Sequence, residues 1–202
     1  MKKYCFALLL SCITACPAIA ETTSRDFQMN RPTIDLITTP EYSVNFGPKN
    51  KRAPEQREWL EVEVSFDWQP SDKELRFLDE LTVNYFILLN DNRDPRKNTL
   101  LTGTVVHTLV GQGKQLKSVM YVSPRALQKF FDGKTPSTAT AAVYNVAATI
   151  SHNGQVVAES SWKGDDREWW STFEPVSGHV LNKDQTPFAP LAWDYYEAVK
   201  PR

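Results

Sequence analysis

Catalysis by a serine nucleophile in this chain would depend on one of three histidines. A serine nucleophile needs a histidine that accepts its hydroxyl proton. His107 lies within a predicted strand among valines and threonines, His152 at a predicted hairpin tip and His179 in a predicted loop. We interpret His107 as a structural histidine and the other two as exposed surface residues. No Gly-x-Ser-x-Gly motif is present either, so the sequence predicts no catalytic residues and no enzyme activity.

The sequence also does not offer the set of residues that a metal site or a phosphate site needs. Three separated histidines do not make a zinc site, which needs at least three closely arranged ligands. Asp91, Asn92 and Asp94 resemble part of a calcium loop, but the central glycine and the distal glutamate are missing. Gly111-Gln112-Gly113 joins two predicted strands, whereas a phosphate loop leads into a helix. We therefore predict no metal and no cofactor.

Several carboxylates lie close together near residue 170. A glycoside hydrolase needs two carboxylates on either side of the scissile bond, and the candidates are Asp165, Asp166, Glu168 and Glu174. An acidic surface loop has the same composition. We interpret this segment as a solvated loop, so a hydrolase is the weakest of the functional hypotheses.

Aromatic residues are the stronger candidates for binding. Trp59 belongs to the otherwise charged face of a predicted strand, which suggests that it is exposed. Trp169 and Trp170 are consecutive, and consecutive side chains of a strand point to opposite faces, so one of them should leave the core. Tyr195 and Tyr196 are consecutive too, so one of them should likewise face the core and the other should leave it. Exposed aromatic rings could anchor an interface or a sugar, whereas cover by the loop 175–190 is the alternative for the two tryptophans.

The first 20 residues have the pattern of a secretion signal. Lys2 and Lys3 precede an uncharged, mostly apolar stretch, Tyr4 to Ala15, and Ala18-Ile19-Ala20 offers a cleavage site. The apolar stretch is too short to span a bilayer of about 30 Å. A second interpretation is lipidation at Cys16. Either way, we predict an exported protein whose final location is the periplasm, the outer membrane surface or the medium.

Removal of the signal changes the composition of the chain. Cys5, Cys12 and Cys16 are its only cysteines, so the remaining domain, residues 21–202, would contain no disulfide. The chain has 23 basic and 24 acidic residues, and loss of Lys2 and Lys3 would leave 21 basic residues and a net charge of −3. Weak acidity gives no reason to expect nucleic-acid binding. No later apolar stretch is long enough for a transmembrane segment.

Strand patterns dominate the rest of the chain. From Trp59 to Trp68 the even positions are apolar and most odd positions are polar, which indicates one buried and one solvated face of an antiparallel sheet. Leu81–Leu89 is typical of a strand that is buried on both sides. Ser123-Pro124 begins a short helix that Gly133 ends. Further predicted strands are Thr33–Thr38, Glu168–Phe173 and Leu191–Val199, and the segments 47–57 and 175–190 are predicted loops.

Two hairpins are predicted. Leu100–Val110 and Gln115–Val122 should pair around Gly111-Gln112-Gly113. Ala142–Ser151 and Gln155–Lys163 should pair across a three-residue loop, 152–154, with Gly154 in the left-handed conformation. This loop would place Ile150 opposite Val156, Ala148 opposite Ala158 and Tyr144 opposite Trp162, all facing the core, because the apolar pattern sets the register.

Together these elements predict one all-β domain. About seven to eight short antiparallel strands with one short crossover helix are typical of an immunoglobulin-like β-sandwich. The disulfide of immunoglobulin domains is missing, so the prediction depends on the strand pattern alone.

The layout also resembles a known group of proteins. The signal, the strand from Trp59 to Trp68, the hairpin around His152-Asn153-Gly154 and the segment Glu168-Trp169-Trp170 are similar to those of small secreted immunoglobulin-like proteins encoded in the type IV pilus gene cluster of Akkermansia-type bacteria. The resemblance implies a β-sandwich outside the inner membrane that is associated with pilus-like or secretion machinery, with oligomerisation and host contact as further implications. It transfers no binding residue. A pilin's long apolar N-terminal helix is missing, so the resemblance implies an accessory protein.

Two binding functions follow as hypotheses. In the first, an exported structural or binding protein self-associates or binds a protein partner at the cell surface. In the second, a carbohydrate-binding module recognises glycans such as mucin through exposed tryptophans. The candidate binding residues are Trp59, Trp169, Trp170 and Tyr196.

Overall fold

A computed structural model describes residues 25–41, 43–46, 49–52, 56–91, 93, 98–164, 168–191 and 195–201. The predicted signal peptide with Cys16, the positions Asn92 and Asp94, and the carboxylates Asp165 and Asp166 lie outside the described residues. The strands, in chain order, are β1 (Phe27–Met29), β2 (Thr33–Thr38), β3 (Ser43–Phe46), β4 (Lys49–Arg52), β5 (Glu58–Trp68), β6 (Phe77–Leu89), β7 (Thr99–Gly111), β8 (Gly113–Val122), β9 (Val143–His152), β10 (Gln155–Ser161), β11 (Pro175–Val176) and β12 (Val180–Asn182).

These strands form two packed sheets, which confirms the all-β sandwich. The first sheet has the order β1-β5-β8-β12, with β2 also paired to β5, and the second has the order β10-β9-β6-β7-β11. Strands β3 and β4 form a separate hairpin, and β4 lies within the segment 47–57 that we predicted to be a loop. The described residues contain twelve strands, more than predicted, because several are two to four residues long. All pairs are antiparallel except β11 with β7.

Helices are few and short in the described residues. The predicted crossover helix is present as α1 (Pro124–Phe130), with the Ser123 side chain accepting a hydrogen bond from the backbone N–H of Ala126. A second, unpredicted helix, α2 (Ala139–Ala142), follows it. Two 3₁₀ helices span Trp169–Thr172 and Lys183–Gln185. None of the helices described is long and apolar enough to cross a membrane.

Strand β5 confirms the alternating pattern. Its even-numbered side chains are at most 1% exposed: Leu60, Val62, Val64, Phe66 and Trp68. They meet the inward side chains of β6 and β9, such as Val83 and Ile150, in one continuous core between the sheets. Burial of such aliphatic and aromatic side chains contributes about 1.5–3 kcal/mol each, so this interface is the main stabilising element of the fold.

The predicted hairpin between β7 and β8 is wrong. Strand β7 pairs with β6, and β8 pairs with β5, so the chain crosses from the second sheet to the first at Gln112. Gly111 lies opposite Phe77 and Gly113 lies opposite Trp68. The reason is non-local. Strands β5 and β6 lie in different sheets, and β8 pairs along β5 while β7 pairs along β6, instead of the two pairing with each other.

The hairpin between β9 and β10 is confirmed only in part. Gly154 is left-handed (φ 77°), as predicted, but Asn153 is too (φ 51°), and His152 pairs with Gln155. The loop therefore has two residues, as is usual for Asn-Gly, and the predicted three-residue loop is wrong. A bulge between Val156 and Ala158 then shifts the register and places Ala158 opposite Ile150.

This bulge corrects the predicted partners while keeping the buried face. Ala148 faces Ser160, not Ala158, yet Ile150, Ala148 and Ala158 are all buried. Two predicted inward residues are exposed instead, Tyr144 at 48% and Val156 at 49%. A bulge adds one residue to one strand, which is how a two-residue loop still satisfies the apolar pattern.

The C-terminal quarter of the chain differs most from prediction. The predicted strand Glu168–Phe173 is a 3₁₀ helix instead. The predicted strand Leu191–Val199 is wrong as well, since in its described residues only Val199 forms a β-bridge, with His107. The predicted loop 175–190 contains the short strands β11 and β12. These strands pair with β7 and β8, so partners distant in sequence determine their conformation.

The C-terminal segment, the described residues from 175 to 201, covers the side of the sandwich where β7 and β8 lie. At Gly103 of β7, an added Cβ would lie 2.7 Å from the Cβ of Val180 in β12. Only glycine permits so close an approach between the two sheets here. The segment then reaches Lys117 and β7 through backbone hydrogen bonds of Glu197, Ala198 and Lys200.

Candidate functional site

Trp59 is buried, with 8% of its surface exposed, so the expectation that it is exposed is wrong. Its indole N–H donates to Thr39 Oγ1 at 3.0 Å, and its ring meets Phe188 edge-on at 5.7 Å between centroids. We call this group, on the outer face of the first sheet, the first-face cluster: Trp59, Val119, Tyr121 and Phe188. Because the C-terminal segment contributes Phe188, this face is covered.

Tyr195 points outward and Tyr196 points inward, so the predicted binding candidate Tyr196 is the less exposed of the two. Tyr196 is half-buried against the first-face cluster and donates to Glu63 Oε2 at 3.2 Å. Burial, with Glu61 nearby, raises the pKa of Tyr196 well above its usual value. Tyr195 is 52% exposed, and the Lys117 ammonium contacts its hydroxyl and lies 4.1 Å from its ring centroid. This contact lies at the hydroxyl end of the exposed ring.

Two carboxylates lie beside these tyrosines. Glu63 pairs with Lys117 at 2.7 Å, in addition to its contact with Tyr196. Burial raises the pKa of Glu61, and a hydrogen bond with Tyr121 opposes that rise. Burial likewise raises the pKa of Tyr121. The hydrogen bond of Glu63 with Tyr196 and the contact of Lys117 with Tyr195 link the C-terminal segment to β5 and β8, so they stabilise its attachment.

Trp169 and Trp170 lie on the outer face of the second sheet. The Trp170 ring stacks on Phe86 of β6 at 4.7 Å between centroids and 14° between planes. Trp169 meets Trp170 edge-on at 5.7 Å, and its N–H donates to Ser161 Oγ at 3.1 Å. Because the segment is a 3₁₀ helix, both rings lie against the same face, and both are half-buried. We call Phe86, Trp169, Trp170 and Phe173 the second-face cluster.

The most exposed apolar side chains lie at one end of the second sheet. Phe77 is 60% exposed and Leu109 is 70% exposed. Phe77 lies opposite Gly111, two residues from Leu109 along β7, so the two side chains are diagonal neighbours across the strand pair. Leu75, 42% exposed, precedes them. We call Leu75, Phe77 and Leu109 the end patch.

A shallow depression of about 410 Å³ adjoins the end patch. Leu75 and Phe77 line it on one side, and His152 and Asn153 of the β9–β10 turn line it on another. Leu109 has a φ of 53°, a left-handed conformation that costs an L-residue with a bulky side chain about 1–2 kcal/mol. The sequence analysis did not identify this patch, because an exposed Leu109 within an apolar strand breaks no visible pattern.

The histidines have different environments in the structure. His107 is 1% exposed, which confirms it as a structural histidine. Its Nε2 lies 2.7 Å from Ser118 Oγ, a contact that resembles a nucleophile–base pair, but Ser118 is fully buried and no substrate can reach it. His179 packs edge-on against Phe130, and its pKa is lowered by burial and by Lys129. In the described part of the chain, no three metal-binding side chains converge.

Comparisons with known proteins agree with this architecture. A solved structure of a protein from Akkermansia muciniphila matches with a TM-score of 0.64 and 22% sequence identity, over 90% of this chain and 98% of that one. At this identity the match shows the fold alone. No curated protein matches the sequence.

A protein-family model matches residues 18–202, which is nearly the whole chain. A match of that extent includes both sheets and the C-terminal segment that covers them. The chain therefore belongs to the family that this model describes.

Proposed function

We propose that this protein is a non-enzymatic, exported structural or binding protein that contacts a protein partner through the end patch. Residues 21–202 would be the exported domain. The exposure of Phe77 and Leu109 carries the proposal, because large apolar side chains grouped at one place on a surface mark interaction sites. The left-handed conformation of Leu109 adds support, since backbone strain of this kind is retained where function requires it.

The finer assignment is to pilus-like or secretion machinery. Its support is the resemblance in length and layout to accessory proteins of a type IV pilus gene cluster, together with the secretion signal that the sequence predicts for residues 1–20. In this assignment the partner is an envelope component, and the end patch is buried when the complex forms. A second copy of this chain is the other partner that the test below can reveal.

A photo-crosslinking experiment in the organism that encodes the chain tests this proposal. A photoreactive phenylalanine analogue replaces Phe77, intact cells are irradiated, and the adducts are identified by mass spectrometry. We expect an adduct with a component of envelope assembly machinery, and its yield should fall at least tenfold when Leu109→Ser is added. Leu191→Ser is the matched control, because Leu191 is an exposed leucine too, at 42%, but belongs to the loop after Phe188.

Three outcomes separate the alternatives. An adduct between two copies of this chain would show that the partner is a second copy of the chain. Sedimentation of the purified chain would then verify self-association. Absence of any adduct, or equal yields with and without Leu109→Ser, would reject the end patch as the contact. Recovery of the protein in the cytoplasmic fraction would reject export.

Carbohydrate binding has less support. The Trp170 ring has Phe86 stacked on one face and Trp169 edge-on beside it, so at least one face of this ring is not open to a sugar. Trp59 is buried. A glycan array with the wild-type chain and a Trp170→Ala variant tests this hypothesis, and tryptophan-dependent binding to mucin glycans would restore it.

A further inference from the structure

A chain of hydrogen bonds crosses the interior of the sandwich and ends on the C-terminal segment. The Tyr85 hydroxyl of β6 donates to Ser118 Oγ of β8 at 2.6 Å. Ser118 Oγ lies 2.7 Å from Nε2 of His107 in β7. The other ring nitrogen, Nδ1, lies 3.1 Å and 3.3 Å from the carbonyl oxygens of Glu197 and Ala198. Tyr85, His107 and Ser118 are each at most 1% exposed.

The carbonyl oxygens determine the tautomer of His107. A carbonyl can only accept, so Nδ1 carries the proton and donates it to the C-terminal segment. Nε2 then has a lone pair and accepts from the Ser118 hydroxyl. Ser118 Oγ in turn accepts from Tyr85. With a neutral histidine, three contacts carry three protons, and every buried polar group in the chain of hydrogen bonds is satisfied.

A second proton on the histidine breaks this balance. Nε2–H would have to donate to Ser118 Oγ, so the serine proton would turn towards Tyr85 and displace the tyrosine proton. Four protons then share three contacts, and one buried hydroxyl is left without an acceptor among the described residues. An unsatisfied buried hydroxyl and a buried charge are both costly, and moving the C-terminal segment away admits water to relieve both.

The same segment has further attachments around the ring, among them side-chain contacts of Tyr195, Tyr196 and Lys200. Backbone hydrogen bonds join Thr108 N to Ala198 O at 2.9 Å, Lys200 N to Val106 O at 2.8 Å and Glu197 N to Lys117 O at 3.0 Å. Val199 packs against the core. We propose that Tyr85, Ser118 and His107 form a proton-sensitive latch, which holds the segment 195–201 on β7 and β8 while His107 is neutral and releases it when His107 is protonated.

Among the described residues, the charged groups around the latch pair with one another and supply no counter-charge to the ring. On the outer face, Glu63 pairs with Lys117, and Lys200 pairs with Glu80 of β6. Glu197 contacts the ring through its backbone carbonyl only, among the described contacts. Burial raises the pKa of the Glu197 carboxyl, so its protonation at acidic pH favours the docked segment and acts against release.

The sign of the pH dependence follows from burial. Desolvation lowers the pKa of His107 in the docked state, so the released state binds the proton more tightly. Docking is fully stable above the pKa of a free histidine, about 6.5, and is lost as the pH falls below it. The equilibrium constant for release should rise up to about tenfold per pH unit in that range, because one proton is taken up.

Hydrogen exchange measured by mass spectrometry on residues 21–202 tests the latch between pH 8 and pH 5, after correction for intrinsic exchange rates. Peptides containing Thr108 and residues 195–201 report release, and peptides from β6 report global unfolding. We expect the first group alone to lose protection as the pH falls. His107→Asn should remove the pH dependence, even if it weakens docking at every pH. The double variant His152→Asn/His179→Asn is the matched control and should keep the dependence.

Glu197→Gln separates the opposing carboxyl, and it should leave the dependence on His107 intact or steeper. Constant protection of the segment in the wild-type chain would overturn the latch. So would a pH dependence that survives His107→Asn, or release that coincides with loss of protection in β6.

Discussion

The two outer faces of the sandwich carry similar aromatic clusters but use them differently. On the first sheet, Phe188 closes over Trp59 and Tyr121, and all three rings are at most 8% exposed. On the second sheet, Trp169 and Trp170 lie over Phe86, and the two tryptophans remain half-buried. The first-face cluster is therefore a second, smaller core, whereas the second-face cluster is a partial cover of a solvated face.

The difference comes from the segments that provide the cover. Phe188 belongs to a segment fixed by β12, by the 3₁₀ helix Lys183–Gln185 and by the contacts of Tyr196. The second-face cluster is fixed by one 3₁₀ turn and one hydrogen bond to Ser161. Aromatic residues do not by themselves indicate a binding site, because a well-fixed segment turns them into core.

The largest expected effect distinguishes the two faces directly. Trp59→Ala should destabilise the chain by about 3–5 kcal/mol, as large-to-small changes in cores do, and chemical denaturation measures it. Trp59→Phe is the control, because it keeps an aromatic ring and loses the hydrogen bond to Thr39 together with part of the ring volume. A loss below 1 kcal/mol for Trp59→Ala would mean that the first-face cluster is a surface feature.

The next effect concerns how the cover of the first face is attached. Gly103→Ala should cost about 1–3 kcal/mol, in the range of overpacked sites, because the added Cβ would lie 2.7 Å from Val180. Gly111→Ala is the matched control. Its Cβ would meet Phe77 at 3.5 Å, an ordinary contact. Equal thermal stability of the two variants would contradict a close approach of β12 to β7.

A smaller effect is expected on the second face. Trp170→Ala removes a half-buried ring stacked on Phe86, and the free energy of unfolding should fall by about 1–2 kcal/mol. Trp170→Phe should recover most of that loss. If Trp170→Ala costs as much as Trp59→Ala, the distinction between the two faces is wrong.

The smallest effect on stability is expected at the end patch. Phe77→Ser should change the free energy of unfolding by less than about 0.5 kcal/mol, as exposed positions do. Denaturation of the purified variant measures this change. Destabilisation by more than 2 kcal/mol would show that Phe77 is part of the fold and not a free contact surface.

Local patterns in the sequence predicted the elements whose pattern is strong within a few consecutive residues. Strand β5 follows from strict alternation, and α1 follows from Ser123-Pro124. The partners of β7 and β8 did not follow, because pairing depends on which strand edges are free after β5 and β6 have separated into two sheets. The bulge near Val157 and the 3₁₀ helix at Trp169 were missed for the same reason, since neither has a local signal stronger than its tertiary context.

The sequence by itself determined which face of β5 is buried, that Gly154 takes a left-handed conformation, and that His107 is a structural histidine. Periodicity and backbone sterics act within a few residues, so they can be read directly from the chain. Only the tertiary structure decided that Trp59 is covered, that Phe77 and Leu109 are exposed together, and that His107 reaches the carbonyls of Glu197 and Ala198. These contacts join residues from about 30 to more than 120 positions apart, and close packing of two sheets, rather than any local preference, brings them together.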